Sequence, residues 1–240
     1  RTGKSTFIKR FMDVAVLPYM EDAAQKTRAQ DELPQSAGGR TITTTEPKFI
    51  PQEAVELKLA GEVTIRVRLD CVGFMVEGAA GHLEDGAERL VKTPWYDHEI
   101  PFTQAAELGT RKVITDHSTI GVVVTTDGSF SDLPQETYLD AENQAISELK
   151  KLHKPFLVLV NSSHPSSRTA REAAERIEKQ HSVAAMPVNC AQLSEEDIRQ
   201  IMEQILYEFP VSRVEFYMPK WVEMLPLSHP LKTGLIEKIR

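Results

Sequence analysis

Arg1-Thr2-Gly3-Lys4-Ser5-Thr6-Phe7-Ile8-Lys9-Arg10-Phe11-Met12 opens the chain, and its first six residues are the second half of G-x-x-x-x-G-K-[ST], the phosphate-loop pattern. A glycine lets the backbone turn tightly into a helix. The first N–H groups of that helix have no intrahelical partner and carry the positive end of its dipole, so a polyphosphate can settle on them. Lys4 would reach the outer phosphates and the Ser5 hydroxyl a magnesium ion, with Gly3 and Thr6 completing the loop. Phe7, Ile8, Phe11, Met12 and Ala15 share one stripe, which predicts a helix over Ser5 to Met20, limited by Pro18. Gly-Lys-Ser alone is a common tripeptide, and the amphipathic helix behind it is what raises the motif above chance. The first glycine of the pattern and the strand before it are not in the sequence, so the chain is expected to begin inside a fold element and the protein to extend upstream.

Outward from this motif, strands and helices alternate, which predicts an α/β fold. Asp22 to Thr45 is polar, carries Pro34 and Gly38-Gly39, and reads as a long loop with room for one short helix. Ala54 to Leu59 and Val63 to Asp70 read as an antiparallel hairpin turning at Ala60-Gly61-Glu62. Gly73 to Arg111 reads as a second long, irregular loop. Thr119 to Thr125, Pro155 to Val160 and Val183 to Val188 are near-continuous apolar runs, the mark of parallel strands buried on both faces. Helices are predicted between and after them at Leu139 to His153, Ser166 to Gln180 and Ser194 to Leu206. The last has a serine N-cap and an acidic first turn suited to the helix dipole. The expected sheet is mostly parallel with one antiparallel edge strand. Residues 1–209 form one domain, and 210–240, rich in proline, form an extension leading into an absent middle domain.

Composition narrows the function. The 240 residues hold 28 Lys plus Arg against 35 Asp plus Glu, a net charge of −7. An acidic balance with no basic cluster repels phosphate backbones, so no nucleic acid partner is expected. No apolar run approaches the ~20 residues of a membrane span. Cys71 and Cys190 are the only cysteines, too few for a disulfide framework, and fit small buried side chains in a reducing compartment. The seven histidines never fall into a metal-ligand spacing, so a bound metal should have oxygen ligands.

Further motifs sit where a phosphate loop needs them. Leu69-Asp70-Cys71-Val72-Gly73 ends the hairpin with D-x-x-G. A carboxylate at a strand end can hold magnesium, and a glycine three residues on can bring its N–H to the terminal phosphate. Between lysine and aspartate lies Thr41-Ile42-Thr43-Thr44-Thr45-Glu46-Pro47, a polar entry to a strand or a switch segment. In the second reading Thr44 or Thr45, with Thr43 in reserve, completes the metal shell and orients the attacking water. The metal ligands would then be Ser5, Thr44 and Asp70. Asn161-Ser162-Ser163-His164 stands where guanine-reading enzymes carry N-K-x-D; the lysine is Ser162 and the base-reading aspartate is His164. Without that carboxylate guanine selectivity is lost. Adenine is the expected base, with Asn161 and Ser162 as the candidates beside it.

The order of R-T-G-K-S-T-F-I-K, D-E-L-P-Q-S, T-T-T-E-P-K-F-I-P, L-D-C-V-G, T-P-W-Y, H-S-T-I-G-V-V-V-T-T-D-G and K-P-F-L-V-L-V-N-S resembles the nucleotide-binding domain of the stage IV sporulation protein A family, from Arg1 to about Pro210. That resemblance implies a P-loop NTPase of the translation-factor-type GTPase class that changed to ATP. It implies an ATPase using ATP and Mg2+, whose nucleotide cycle drives polymerisation with itself into the basement layer of the spore coat. The implied place is the mother-cell cytoplasm at the forespore surface. The implied partners are other coat proteins and a small amphipathic membrane-anchoring protein. By resemblance Lys4 is the nucleotide-binding lysine, Thr44 and Thr45 sense the terminal phosphate, and Asp70 is associated with magnesium. The family's middle and carboxyl-terminal domains have no counterpart in these residues.

The same residues also admit a regulatory GTPase, a small-molecule kinase, and a structural protein that binds nucleotide without turnover. Slow turnover is expected, since neither long loop offers an obvious glutamine to orient water. An arginine could come from Arg1, Arg28, Arg40 or a neighbouring chain. Trp95, Tyr96 and Trp221 are as readily packing residues as interface anchors.

Overall fold

The computed structural model describes residues 2–33, 49–58, 64–70, 72–74, 83–84, 87–130, 134–211, 215 and 217–239. Two compact units emerge, Arg1–Phe209 and Pro210–Arg240.

The larger unit is α/β. Three strands, β7 (Gly121–Thr126), β8 (Phe156–Asn161) and β9 (Ala185–Val188), form a parallel sheet with β8 in the middle. The central strand shows why a continuous apolar run suits this place. Side chains alternate across a strand, and both faces of β8 are covered. Leu157 and Leu159 join α1 (Lys4–Phe11) and α6 (Glu195–Tyr207) in one core, through Phe7, Ile8, Phe11, Ile198 and Ile201. Phe156, Val158 and Val160 join α4 (Leu139–Lys151) and α5 (Arg168–His181) in a second, through Ile146, Leu149, Ala173, Ala174 and Ile177. Every residue of β8 is buried, and each large side chain contributes about 1.5–3 kcal/mol by leaving water.

The predicted hairpin is present as β1 (Ile50–Lys58) and β2 (Thr64–Leu69), antiparallel, with Val55 opposite Val67. Its turn at Ala60-Gly61-Glu62 lies outside the described residues. The sequence reading expected an antiparallel edge strand on the parallel sheet; among the described residues the hairpin is not bonded to that sheet. Among the described residues the two strands bond only to each other, and Ile50 and Val67 reach the first core through side chains. Helix α1 continues beyond Phe11 into a π-type turn, Met12–Val16, and a 3-10 turn, Leu17–Tyr19. Within the polar stretch after it, α2 (Ala23–Asp31) starts on an Asp22 cap whose carboxylate accepts the Ala24 N–H at 2.8 Å.

A further expectation is overturned. Gly73 to Arg111 is not one irregular loop, since its described part holds two small hairpins and a helix. The hairpins are β3 (Leu83–Glu84) with β4 (Ala87–Glu88), and β5 (Leu90–Thr93) with β6 (Tyr96–Pro101). They lead into α3 (Phe102–Lys112), whose buried stripe is Phe102, Ala105, Gly109 and Thr110. That stripe is mostly small or polar, so hydrophobic period does not reveal it.

Helix α6 begins on a capping box: the Ser194 hydroxyl accepts the Asp197 N–H, and the Asp197 carboxylate accepts the Ser194 N–H. The second unit, expected from sequence only as an extension, holds two further helices, α7 (Lys220–Glu223) and α8 (Pro230–Ile239). It exposes Val211, Tyr217, Trp221, Met224, Leu227 and Leu231. No helix among the described residues is long and apolar enough to cross a membrane.

Candidate functional site

The carboxyl ends of β7, β8 and β9 and the amino-terminal end of α1 come together, the place where open α/β sheets bind ligands. Thr126, Asn161 and Val188 lie in register at those strand ends. Gly3 turns the chain into α1 with φ of 98°, in the left-handed region that favours glycine. The first helical hydrogen bond runs from Phe7 N–H to the Gly3 carbonyl at 2.8 Å. The N–H groups of Lys4, Ser5 and Thr6 consequently have no intrahelical acceptor, and no side chain caps this end.

Lys4 and Gly73 meet here. A Cβ placed on Gly73 would lie 2.9 Å from the Lys4 Nζ, so the glycine backbone rests against the ammonium group. Among the described residues no carboxylate pairs with Lys4. The two motifs predicted to cooperate, G-K-S and D-x-x-G, are thus adjacent through their lysine and their glycine. Asp70 directly follows β2 and is half-buried. Ser5 and Thr6 lie in the first turn of α1, partly accessible. Thr43, Thr44 and Thr45 lie outside the described residues, as does Cys71.

Asn161 does something that spacing could not disclose. Its side-chain Nδ2 donates to the Thr2 carbonyl at 3.0 Å, and its Oδ1 accepts the Cys190 N–H at 3.0 Å. One amide therefore clasps the chain just before α1 to the turn after β9, with β8 between them. The same amide crowds Gly3, where a Cβ would fall 2.3 Å from Nδ2. Ser162 is fully buried; its N–H donates to the Val188 carbonyl at 2.8 Å and its hydroxyl accepts the His164 N–H at 3.1 Å. Neither side chain is presented openly, so both act on a ligand through the turn they hold.

That turn is held from either side. The Ser129 hydroxyl, itself bonded to the Asp127 carboxylate at 2.6 Å, accepts the Ser163 N–H at 2.9 Å. From the other side Asn189 Nδ2 donates to the Ser163 carbonyl at 3.4 Å. Ser129 was not anticipated, and Asn189-Cys190-Ala191 is in sequence only loosely like the S-A-K segment that backs the base in guanine-reading enzymes. Both Ser129 and Asn189 are turn-forming residues just past apolar runs. His164, at the top of the turn, is exposed.

Behind these loops, Cys190 is fully buried and burial pushes its thiol up to about 12, so it is neutral and takes no part as a nucleophile. Away from the site, Glu142 of α4 is buried. Its carboxylate accepts from Thr125 of β7 at 2.6 Å and from Arg176 of α5 at 2.8 Å, joining three elements on the second core's side. No group of histidine, cysteine, aspartate and glutamate side chains spaced for a metal occurs among the described residues.

The family model for the stage IV sporulation protein A ATPase domain matches residues 1–210. Across 241 aligned positions and 100% of this chain, identity is 46% to stage IV sporulation protein A of Clostridioides difficile (strain 630). It is 43% to the proteins of that name from Bacillus anthracis and Bacillus subtilis (strain 168). The alignments cover 49% of each relative, so the chain spans about half the length of the curated relatives it matches.

Proposed function

Because the chain belongs to the family of stage IV sporulation protein A ATPase domains, we propose that it binds ATP with magnesium at the start of α1 and hydrolyses it to ADP and phosphate. The observation that carries this reading is the Gly73 backbone resting against the Lys4 ammonium beside an uncapped helix start. Three helical N–H groups without intrahelical acceptors and a lysine with no described carboxylate partner form a cradle for polyphosphate oxygens.

The residues divide the work as follows. Lys4, Ser5 and Thr6 offer N–H groups to the phosphates, and the Lys4 ammonium neutralises the outer ones. The Ser5 hydroxyl and the Asp70 carboxylate are the oxygen donors for magnesium, joined by Thr44 or Thr45. Magnesium, when bound, supplies positive charge opposite the phosphate oxygens. Gly73 presents its N–H to the terminal phosphate, and the threonine hydroxyl or carbonyl orients the attacking water. Asn161 keeps Thr2 and the turn at Cys190 in fixed relation, so the phosphate cradle and the base pocket stay aligned. The base lies against the Ser163-His164 turn. With His164 in place of a carboxylate the turn lacks the group that would read guanine, which leaves adenine as the favoured base.

The antiparallel pair leading into D-x-x-G supports assignment to the translation-factor-type class of P-loop NTPases. At the level of the cell, the nucleotide cycle controls assembly of copies of this protein into the spore coat basement layer, at the forespore surface facing the mother cell. Other coat proteins and a small amphipathic anchoring protein are its further partners. The apolar side chains exposed over 211–231 suit protein contact.

Phosphate release from ATP and GTP, measured for the wild type and for Lys4→Ala and Asp70→Asn, tests the reading. Release from ATP that vanishes in both variants is expected. A preference for GTP would replace the ATPase with a regulatory GTPase. No release by the wild type would leave a nucleotide-binding structural protein.

A further inference from the structure

We infer that Thr110 is a positioning residue for the terminal phosphate: by holding the Gly73 peptide it lets the site distinguish a nucleoside triphosphate from a diphosphate, and it ties that distinction to α3. The inference rests on the nucleotide reading above. Thr110 lies on the buried stripe of α3 at 3% exposure, where an apolar side chain of its shape would pack as well. A threonine in a helix commonly turns its hydroxyl back to the carbonyl four residues earlier. Here the Oγ1 instead donates out of the helix to the Gly73 carbonyl at 3.1 Å, 37 residues away in sequence.

Gly73 is thereby gripped on two sides. Its carbonyl is held by α3, while its Cα faces the Lys4 ammonium, 2.9 Å from where a Cβ would stand. The next residue adds a second anchor, because Phe74 packs against the core that contains Ile114, in the turn that follows α3. Among the described residues no other hydrogen bond reaches this short segment from α3, so the hydroxyl fixes the peptide leaving Gly73 and, through that residue, restrains the N–H on its other side. The start of α3 is fixed in turn to the hairpin before it. Phe102 N–H donates to the Arg89 carbonyl at 2.9 Å, and the Arg89 guanidinium covers the Phe102 ring at 4.3 Å. A change in the Gly73 peptide on loss of the terminal phosphate therefore has a continuous packed route into α3 and toward the β5–β6 hairpin, whose Tyr96 is exposed.

The test compares Thr110→Val, which keeps shape and removes the hydroxyl, with Thr110→Ser, which keeps the hydroxyl. Affinities for a non-hydrolysable ATP analogue and for ADP are read by displacement of a fluorescent nucleotide in the presence of magnesium. Thr110→Val should weaken the ATP analogue by roughly three- to tenfold, the weight of one hydrogen bond, and leave ADP unchanged; Thr110→Ser should restore the preference. An unchanged ratio in Thr110→Val, or an equal loss for both nucleotides, overturns the inference and leaves Thr110 a packing residue. A measurement on the wild type stands beside the variants in case Thr110→Val does not fold. Amide exchange across α3 should slow with the ATP analogue more than with ADP, and equal slowing overturns the inference. If the wild type binds neither nucleotide, the ATPase reading itself fails, an outcome distinct from the others.

Discussion

The two corners of the candidate site are built in opposite ways. At the phosphate corner, polar groups lack internal partners among the described residues: the first helical N–H groups of α1 are uncapped and the Lys4 ammonium lies against Gly73. At the base corner nearly every polar group is already used. Asn161 is bonded at both ends, Ser162 is buried under the His164 amide, and the Ser163 backbone is held by Ser129 and Asn189. In the function proposed above an anion completes the first corner, whereas the second is complete before any ligand arrives. This division is what a site for a charged, flexible triphosphate joined to a flat base requires, since charge must be met by free donors and shape by a rigid frame.

The same substitution, glycine to alanine, separates the corners most sharply. Gly3→Ala is expected to have the largest effect. It places a side chain at positive φ and drives it into the doubly bonded Asn161 amide at 2.3 Å. We expect a loss of about 2–4 kcal/mol of stability, read as a lowered denaturation midpoint, together with loss of nucleotide binding. Asn161→Ala comes next, because it strips a buried carbonyl and a buried N–H of their partner, at about 1–3 kcal/mol each; a denaturant titration checks it. If its midpoint stays at the wild-type value, the clasp is not what aligns the corners.

Gly73→Ala should behave differently. The atom in its way is the end of a flexible lysine, which can move without disturbing the fold. Thermal stability should hold while the affinity for ATP drops by about tenfold, reflecting a displaced ammonium. A large fall in melting temperature would show that this corner is as rigid as the other. The smallest effect concerns Cys190. Its folded thiol is raised to about 12, against about 8.5 for an exposed thiol. Between those values the unfolded chain releases a proton that the folded chain keeps. The stability this contributes is thus fully present below about pH 8.5 and is lost as pH rises toward 12. At neutral pH the thiol should resist alkylation until the protein unfolds, as mass spectrometry of iodoacetamide-treated protein would show.

The contrast also explains which parts were legible in the sequence. At the phosphate corner the helix start was readable because its pattern is local: Gly3, Lys4 and Ser5 are consecutive and an apolar stripe follows them. The parallel strands were readable because burial on both faces leaves a continuous apolar run, as in β8. Asn161 comes at the end of a predicted strand, but its partners lie 159 and 29 residues away. No spacing rule predicts that both ends of an amide are committed to backbone. The hairpins and α3 within Gly73 to Arg111 were missed for another reason. Short strands such as β5 carry too few alternations to register, and α3 buries alanine, glycine and threonine, small residues whose packing is set by close approach.

The division of β8 between the two cores has its own consequence. Leu157 and Leu159 serve one layer, and Phe156, Val158 and Val160 the other. Deleting or inserting a single residue ahead of Asn161 would exchange the layers' side chains wholesale, and would also turn the asparagine away from Thr2. The strand's length is therefore a gauge, and the clasp at its end is calibrated by the same two-residue rhythm that fills the interior.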